Sequence, residues 1–336
     1  MNLANKYRPK KFEDVVCQDN VKVVLDNQIK SGEFKQAYLF TGSAGTGKTT
    51  SARIFANEIN NGKEKPIEVD GASNNGVANI RDIIENSKLK SLTGGYKVYI
   101  IDEVHMLSIG AFNALLKILE EPPKGTIFIL CTTDPQKIPA TILSRVQRFD
   151  FKRIPTQQIM NRLTYIIEKE NQTRVDDIEY TDDALRYIAQ LANGGMRDAI
   201  TKLDTVLGYS NNITVSNVTE CLGLVSTSFQ LEIIDNILAK NINGVLGSID
   251  AIYYDGKDLK LFVKDMVQTT LEIVKYALNH NVYNLPEAAK PRVTQIIATP
   301  VNILMQLLDS FTKLYNDIKY EQQPKFLIES ELIQLC

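Results

Sequence analysis

Apolar positions along the first 150 residues alternate between short unbroken runs and helical faces. The run Ala37-Tyr38-Leu39-Phe40 is a short buried strand, and a helix from about Asn20 to Ile29 precedes it and stops near Gly32. Beyond it Ala52, Phe55, Ala56 and Ile59 recur at helical spacing. The polar link from Asn60 to Pro66 leads to a strand, Ile67-Glu68-Val69-Asp70, and a helix around Asn79–Ser87. Gly94-Gly95 turns the chain into Val98-Tyr99-Ile100-Ile101, which ends on Asp102-Glu103. Ser108 caps a helix with Phe112, Leu115, Leu116 and Leu119 on one face, closed by Pro122-Pro123. Thr126 to Thr132 is a further buried strand, and a last one, flanked by Arg145 and Arg148, ends near Phe151. Strand–helix units repeated in this way predict a parallel sheet covered on both faces.

From Pro155 the period is helical only. Ile159, Leu163, Ile166 and Ile167 share one face; Thr181 caps a helix bearing Leu185, Ile188, Leu191 and Ala192. Gly194-Gly195 breaks it before a helix with Met196, Ile200, Leu203 and Leu207. Ser210-Asn211-Asn212 is a polar break, and the remainder again predicts helices, with turns at Tyr254–Lys257 and near Asn279–Pro286 and a last buried helix over Phe326–Leu335. Three domains are expected: an α/β domain over 1–153, a small α-helical domain over 154–210 and an all-α domain over 211–336.

Composition changes this picture little. The 336 residues, 44% hydrophobic and 23% charged, suit a globular chain of two or three domains. A net charge of −2 provides no global field for nucleic acid, which leaves local basic patches. Cys17, Cys131, Cys221 and Cys336 are scattered, without a C-x-x-C pair, so a zinc site has no support and reduced thiols in a cytosol are expected. Neither a signal peptide nor an apolar run of membrane-spanning length is evident, so a soluble cytoplasmic protein without a membrane partner is expected.

Chemistry concentrates between strand and helix. Gly42-Ser43-Ala44-Gly45-Thr46-Gly47-Lys48-Thr49 fits G-x-x-x-x-G-K-[ST], the phosphate-binding loop, and Thr50 follows on the helix. Its backbone N–H groups and the helix N-terminus suit the phosphates of ATP, Lys48 reaches the β- and γ-phosphates, and the Thr49 hydroxyl ligates Mg²⁺. Asp102, at a strand end, is the second Mg²⁺ residue, and Glu103 orients and activates water. At the tip of the next strand, Thr132, Thr133 or Asp134 could contact the γ-phosphate or the water. Arg197, in a helix's first turn, opposes the helix dipole and calls for a nearby anion. The basic, aromatic segment Lys6-Tyr7-Arg8-Pro9-Lys10-Lys11-Phe12 is a solvated arm taken alone; ahead of a phosphate loop, it could fold over the nucleotide base.

A series of blocks then carries a resemblance: Tyr7-Arg8-Pro9, Gly42–Thr49, Ile101-Asp102-Glu103-Val104-His105-Met106-Leu107-Ser108, Leu119-Glu120-Glu121-Pro122-Pro123, Thr132-Thr133-Asp134-Pro135-Gln136-Lys137, Ile142-Leu143-Ser144-Arg145 and Gly195-Met196-Arg197-Asp198-Ala199. Together they resemble the clamp-loader gamma/tau subunits of bacterial DNA polymerase III, which are AAA+ ATPases. The match is weaker beyond Asn211, where Pro324–Glu329 is similar to the family's last collar helix. The resemblance implies a P-loop AAA+ domain, a helical lid and a helical collar that holds a five-membered ring of loader subunits, of one or several kinds. It implies Arg145 as a finger reaching the neighbouring subunit's ATP, Arg197 as the lid sensor for its own γ-phosphate, and Thr132 or Thr133 as the first sensor. Implied partners are other loader subunits, a sliding clamp and primer–template DNA bound without regard to sequence. Lys88, Lys90 and Lys97 are candidate DNA contacts.

Three departures matter. The family's four-cysteine zinc module has no counterpart in Asn60–Pro66, so ATP and Mg²⁺ are expected without zinc. The finger motif usually reads Ser-Arg-Cys, and Val146 follows Arg145 here. The tau-type extension has no counterpart either, which fits the short form and a compact virus-encoded or reduced-genome version. The competing readings are another AAA+ DNA motor, for branch migration or helicase loading, and a non-hydrolysing scaffold subunit of a loader ring.

Overall fold

A computed structural model describes residues 2–89, 91, 94–279 and 285–336. The chain divides into two compact units, Met1–Val175 with Ile188–Asp204, and Asp176–Tyr187 with Thr205–Cys336.

In the first unit α1 (Leu3–Lys6) and α2 (Asp19–Ser31) precede β1 (Ala37–Thr41), α3 (Lys48–Ile59), β2 (Ile67–Asp70), α4 (Val77–Ser87), β3 (Lys97–Asp102), α5 (Ile109–Glu120), β4 (Thr126–Thr132), α6 (Ala140–Leu143), β5 (Gln147–Asp150) and α7 (Thr156–Asn171). The five strands form a parallel sheet in the order β2-β3-β4-β1-β5. Leu39 pairs with Leu130 and Ile100 with Ile129, so successive side chains enter opposite layers. One layer gathers Phe12, Phe40, Phe55, Ile100 and Ile129; the other gathers Leu39, Tyr99, Ile101, Leu115, Phe128 and Leu130. Both β1 and β4 are buried along their whole length, which explains their unbroken apolar runs. Each large apolar side chain so enclosed contributes about 1.5–3 kcal/mol. Because β1 lies between β4 and β5, the loop leaving it emerges beside the carboxyl end of β4, where open α/β sheets bind ligands.

Asn60, just beyond α3, ties that helix to the residue before β3. It is 6% exposed; its amide donates to the Tyr96 carbonyl at 2.7 Å and accepts from the Tyr96 N–H at 2.8 Å.

Then follow β6 (Glu179–Tyr180), α8 (Asp182–Leu191), α9 (Met196–Tyr209) and β7 (Asn212–Ile213), with the division between units running through α8 and α9. As expected, Thr181 Oγ1 accepts from Ala184 N–H at the start of α8, at 3.3 Å. The sequence predicts helices only here, yet β6 and β7 pair in parallel, Glu179 with Asn212. Two-residue strands are too short to carry a period.

The second unit continues through α10 (Val215–Cys221), α11 (Thr227–Leu238), α12 (Ile242–Tyr254), α13 (Leu259–Asn279), α14 (Lys290–Ile296), α15 (Val301–Asp317) and α16 (Pro324–Leu335). Thr214, Ser226 and Asn241 accept backbone N–H bonds as N-caps of α10, α11 and α12. Its core is aliphatic, built around Ile234, Ile249, Met266, Leu304, Phe311 and Ile328. Among the described residues no helix is long and apolar enough to cross a membrane.

Candidate functional site

The loop between β1 and α3 wraps one wall of a cavity of about 730 Å³, lined also by Tyr7, Arg8, Pro9, Asp102, Glu103, Arg153 and Arg197. Glycine is needed at its start: Gly42 has φ +145, and a Cβ there would stand 2.4 Å from the Phe151 carbonyl oxygen. Gly45 has φ +72 and lies against Gly195, so the loop accepts no larger residue on that side either. Gly47, also at positive φ, caps α3 and aims its first N–H groups at the cavity. Ser43, Ala44, Thr46, Thr49 and Thr50 complete the loop wall.

Lys48 is 6% exposed and donates from Nζ to the carbonyls of Gly42 at 2.8 Å and Ser43 at 2.9 Å. Burial lowers its pKa, against the opposing pull of Glu103 and Asp102. A desolvated ammonium hydrogen-bonded to two carbonyl oxygens is suited to receive phosphate oxygens. Thr49 Oγ1 donates to Asp102 Oδ2 at 2.6 Å, and Asp102 Oδ1 accepts the Glu103 N–H at 3.0 Å. A hydroxyl and a carboxylate in contact fit a Mg²⁺ site whose other ligands are phosphate and water. Among the described residues no cluster of three or more His, Cys, Asp or Glu could hold a metal ion by itself.

Glu103 lies just beyond β3 in the left-handed region, φ +46, so the backbone turns sharply at the strand end. Its Oε2 accepts from Thr133 Oγ1 at 3.0 Å and lies 3.3 Å from His105 Nδ1. The structure thus separates the two threonines that the sequence left open. Thr133 meets Glu103, whereas fully buried Thr132 meets His105 and the Asp134 N–H.

The first turn of α9 forms another wall. Met196 N–H donates to the Gly45 carbonyl at 2.9 Å, which brings exposed Arg197 to the cavity rim. The N-terminal segment is not a free arm. Tyr7 Oη and Lys6 Nζ, the latter at 2.6 Å, both donate to Glu170 on α7, and Arg162 donates to the Tyr7 carbonyl at 3.1 Å. Burial and the Glu170 carboxylate push the Tyr7 hydroxyl pKa up.

Sequence reasoning missed three residues here. Gln18, 7% exposed, donates to the Lys152 carbonyl at 2.7 Å and accepts from its N–H at 3.0 Å. Arg153 donates to Asn193 Oδ1 at 2.7 Å beside Ser43. His105 is the third. Only His105 lay in a block already singled out; the others are single polar residues in connecting segments, where no period or motif marks them.

Arg145 is not brought to this cavity. It follows α6 and donates to Glu120 Oε1 and to the Thr141 carbonyl, both at 2.6 Å. Lys88 caps the end of α4, and Lys97, at the start of β3, donates to the Asn86 carbonyl at 2.7 Å, at the amino end of the strand whose carboxyl end carries Asp102. Lys90 lies outside the described residues.

The family models for the DNA polymerase III delta subunit, for the DNA polymerase III clamp loader subunit ATPase lid domain, and for domain III of DNA polymerase III subunits gamma and tau match residues 59–155, 158–212 and 213–336. DNA polymerase III subunit tau of Bacillus subtilis is 38% identical over 362 aligned positions, covering 99% of this chain and 63% of that protein. DNA polymerase III subunit gamma of Buchnera aphidicola is 38% identical over 261, covering 71% of each. Among solved structures, the RuvB Holliday junction branch migration motor of Thermotoga maritima covers 73% of this chain and 85% of its own at a TM-score of 0.52; at 22% identity it shows a common fold. The chain spans 63% of the Bacillus tau subunit and 44% of its Escherichia coli counterpart.

Proposed function

The chain belongs to the gamma/tau family of DNA polymerase III subunits, and on that premise we propose that it is an ATP-hydrolysing motor of a clamp loader, opening a sliding clamp and placing it on primed DNA. One observation carries the reading. Lys48, Thr49, Asp102, Glu103 and Thr133 converge at one end of the sheet, and Arg197 stands on the rim of the same cavity.

In this reading Lys48 exchanges the Gly42 and Ser43 carbonyls for β- and γ-phosphate oxygens, and the loop N–H groups hold the remaining charge. Bound Mg²⁺, on Thr49 and Asp102, supplies neutralisation of the charge shared by those phosphates. Glu103 takes the proton of the attacking water as the water oxygen bonds to the γ-phosphorus and the bond from that phosphorus to the β,γ-bridging oxygen breaks, its electron pair leaving on ADP; Thr133 holds the carboxylate in place. Arg197 serves the γ-phosphate of its own subunit, and Arg145 that of a neighbour. Tyr7, Arg8 and Pro9 cover the base.

The proposed domains are an ATPase domain over 1–153, a lid over 154–210 and a collar over 211–336. The collar joins five loader subunits, of one kind or several, in a cytoplasmic replisome, with ATP and Mg²⁺ and without zinc. Primer–template DNA is gripped by its phosphates, so binding is salt-sensitive and independent of sequence; Lys88, Lys90 and Lys97 are candidate contacts.

Two substitutions test the site. Lys48→Ala abolishes ATP-dependent turnover because the charge-assisted phosphate contact is gone. Glu103→Gln binds ATP at parental affinity and hydrolyses it about 10²- to 10⁴-fold more slowly. Equilibrium binding beside steady-state hydrolysis checks both; parental turnover by Glu103→Gln would show that another group is the base.

A further inference from the structure

We propose that His105 is a positioning residue for the water-activating carboxylate, its Nδ1 edge set against Glu103 Oε2 so that the other carboxylate oxygen stays available to water. The inference rests on Glu103 as the base and goes beyond that reading by assigning what aims it.

The backbone of Glu103 is pinned. Its N–H donates to Asp102 Oδ1 at 3.0 Å, and its carbonyl accepts from Met106 N–H at 2.9 Å. Gly71 packs so closely here that a Cβ would stand 2.8 Å from the carbonyl oxygens of both Asp102 and Glu103. With the left-handed backbone held by these contacts, the direction of the side chain depends on what its carboxylate meets. Both contacts fall on Oε2: Thr133 Oγ1 at 3.0 Å and His105 Nδ1 at 3.3 Å.

A carboxylate only accepts hydrogen bonds, so an imidazole nitrogen beside it attracts it only when that nitrogen carries a proton. The proposed role puts the ring proton on Nδ1. Nδ1 makes its hydrogen bond with Thr132 Oγ1, at 3.1 Å, and lies 3.3 Å from Glu103 Oε2. Thr132 is fully buried and already accepts the Asp134 N–H at 3.0 Å, which fixes the hydroxyl and through it the ring. Val104, with no exposed surface, anchors the short turn that carries His105. The imidazole is thus held by Thr132 and lies against the carboxylate oxygen that Thr133 also meets. Oε1 keeps its lone pairs for the water proton.

The test compares Ala, Asn and Gln at position 105 in the 336-residue chain. An Asn amide places an N–H donor where Nδ1–H stands, whereas a Gln amide places it where Nε2 stands. His105→Ala and His105→Gln are expected to lose on the order of 10- to 100-fold in kcat, as for a misplaced catalytic group. KM and the affinity for a non-hydrolysable ATP analogue stay within about two-fold, because the phosphate loop is untouched. His105→Asn stays within about three-fold of the parental kcat. If His105→Ala does not fold, the Asn and Gln variants, equally polar, still decide the matter. Parental kcat in His105→Ala or His105→Gln, or equal slowing of Asn and Gln, would overturn the proposal. Glu103→Gln measured alongside separates the two readings: parental turnover there removes the base itself, whereas a slow Glu103→Gln beside a fast His105→Ala removes only the aiming role.

Discussion

Replacing Asn60 with alanine should destabilise the nucleotide-binding unit by about 2–3 kcal/mol. The side chain makes two hydrogen bonds to one residue, at 2.7 and 2.8 Å, and so ties the end of α3 to the start of β3 as a rung of a ladder would. A typical intramolecular hydrogen bond contributes about 1 kcal/mol net, and a buried group left unpaired costs about 1–3 kcal/mol. Asn60 is buried while Tyr96 is half-buried, so water can reach part of the orphaned peptide and the sum stays near the lower end. The ring of Tyr96 packs edge-on against Phe34 at 5.3 Å, so loosening it also disturbs the apolar layer beneath α3. Asn60→Asp is the sharper control. It keeps an acceptor for the Tyr96 N–H but sets a carboxylate oxygen against the Tyr96 carbonyl, so it should be at least as damaging at neutral pH. Urea unfolding followed by circular dichroism measures both, and the transition that shifts with a saturating ATP analogue identifies the unit concerned. An Asn60→Ala midpoint equivalent to less than about 0.5 kcal/mol of loss would refute the reasoning, since single bonds of this kind are worth more.

Two further outcomes follow from other parts of the chain. Arg145→Ala should bind ATP normally yet hydrolyse it on the order of 10³-fold more slowly, and rings mixed with Lys48→Ala should regain activity, because the Lys48 variant still lends its arginine to a neighbour; mixed rings with no recovery would place Arg145 outside catalysis in trans. Burial pushes Asp265 on α13 from 3.8 to about 6, and its Oδ2 has no hydrogen-bond partner among the described residues. A raised carboxylate stabilises the native state fully below pH 3.8 and loses that contribution as pH rises through about 6. At about 1.4 kcal/mol per pH unit the cost above that range is about 3 kcal/mol, so Asp265→Asn should stabilise the second unit by up to that amount near pH 8 and hardly at all near pH 4; equal effects at both would refute it.

What the sequence determined by itself is what neighbouring residues decide among themselves. The phosphate loop is contiguous because its glycines, Lys48 and the first turn of α3 must bind one group, so eight positions carry the whole motif. The strands β1, β3 and β4 were legible because burial on both faces requires unbroken apolar runs. The acids at the end of β3 were legible because a strand end is a local event. The tertiary structure alone decided how these pieces aim at one another. It chose Thr133 over Thr132 as the hydrogen-bond partner of Glu103: Thr132 ends β4 with its hydroxyl on His105 and the Asp134 N–H, and Thr133 lies just beyond the strand. It folded Lys6 and Tyr7 onto Glu170, more than 160 positions away, and hooked Gln18 to Lys152. It also tied Arg145 to Glu120 instead of leaving a bare finger. Such contacts join single polar side chains across long separations, and each is worth only about a hydrogen bond or an exposed ion pair. A lone polar residue imposes no period on its surroundings, so its partner is set by how the sheet and helices pack and is written nowhere in its own neighbourhood.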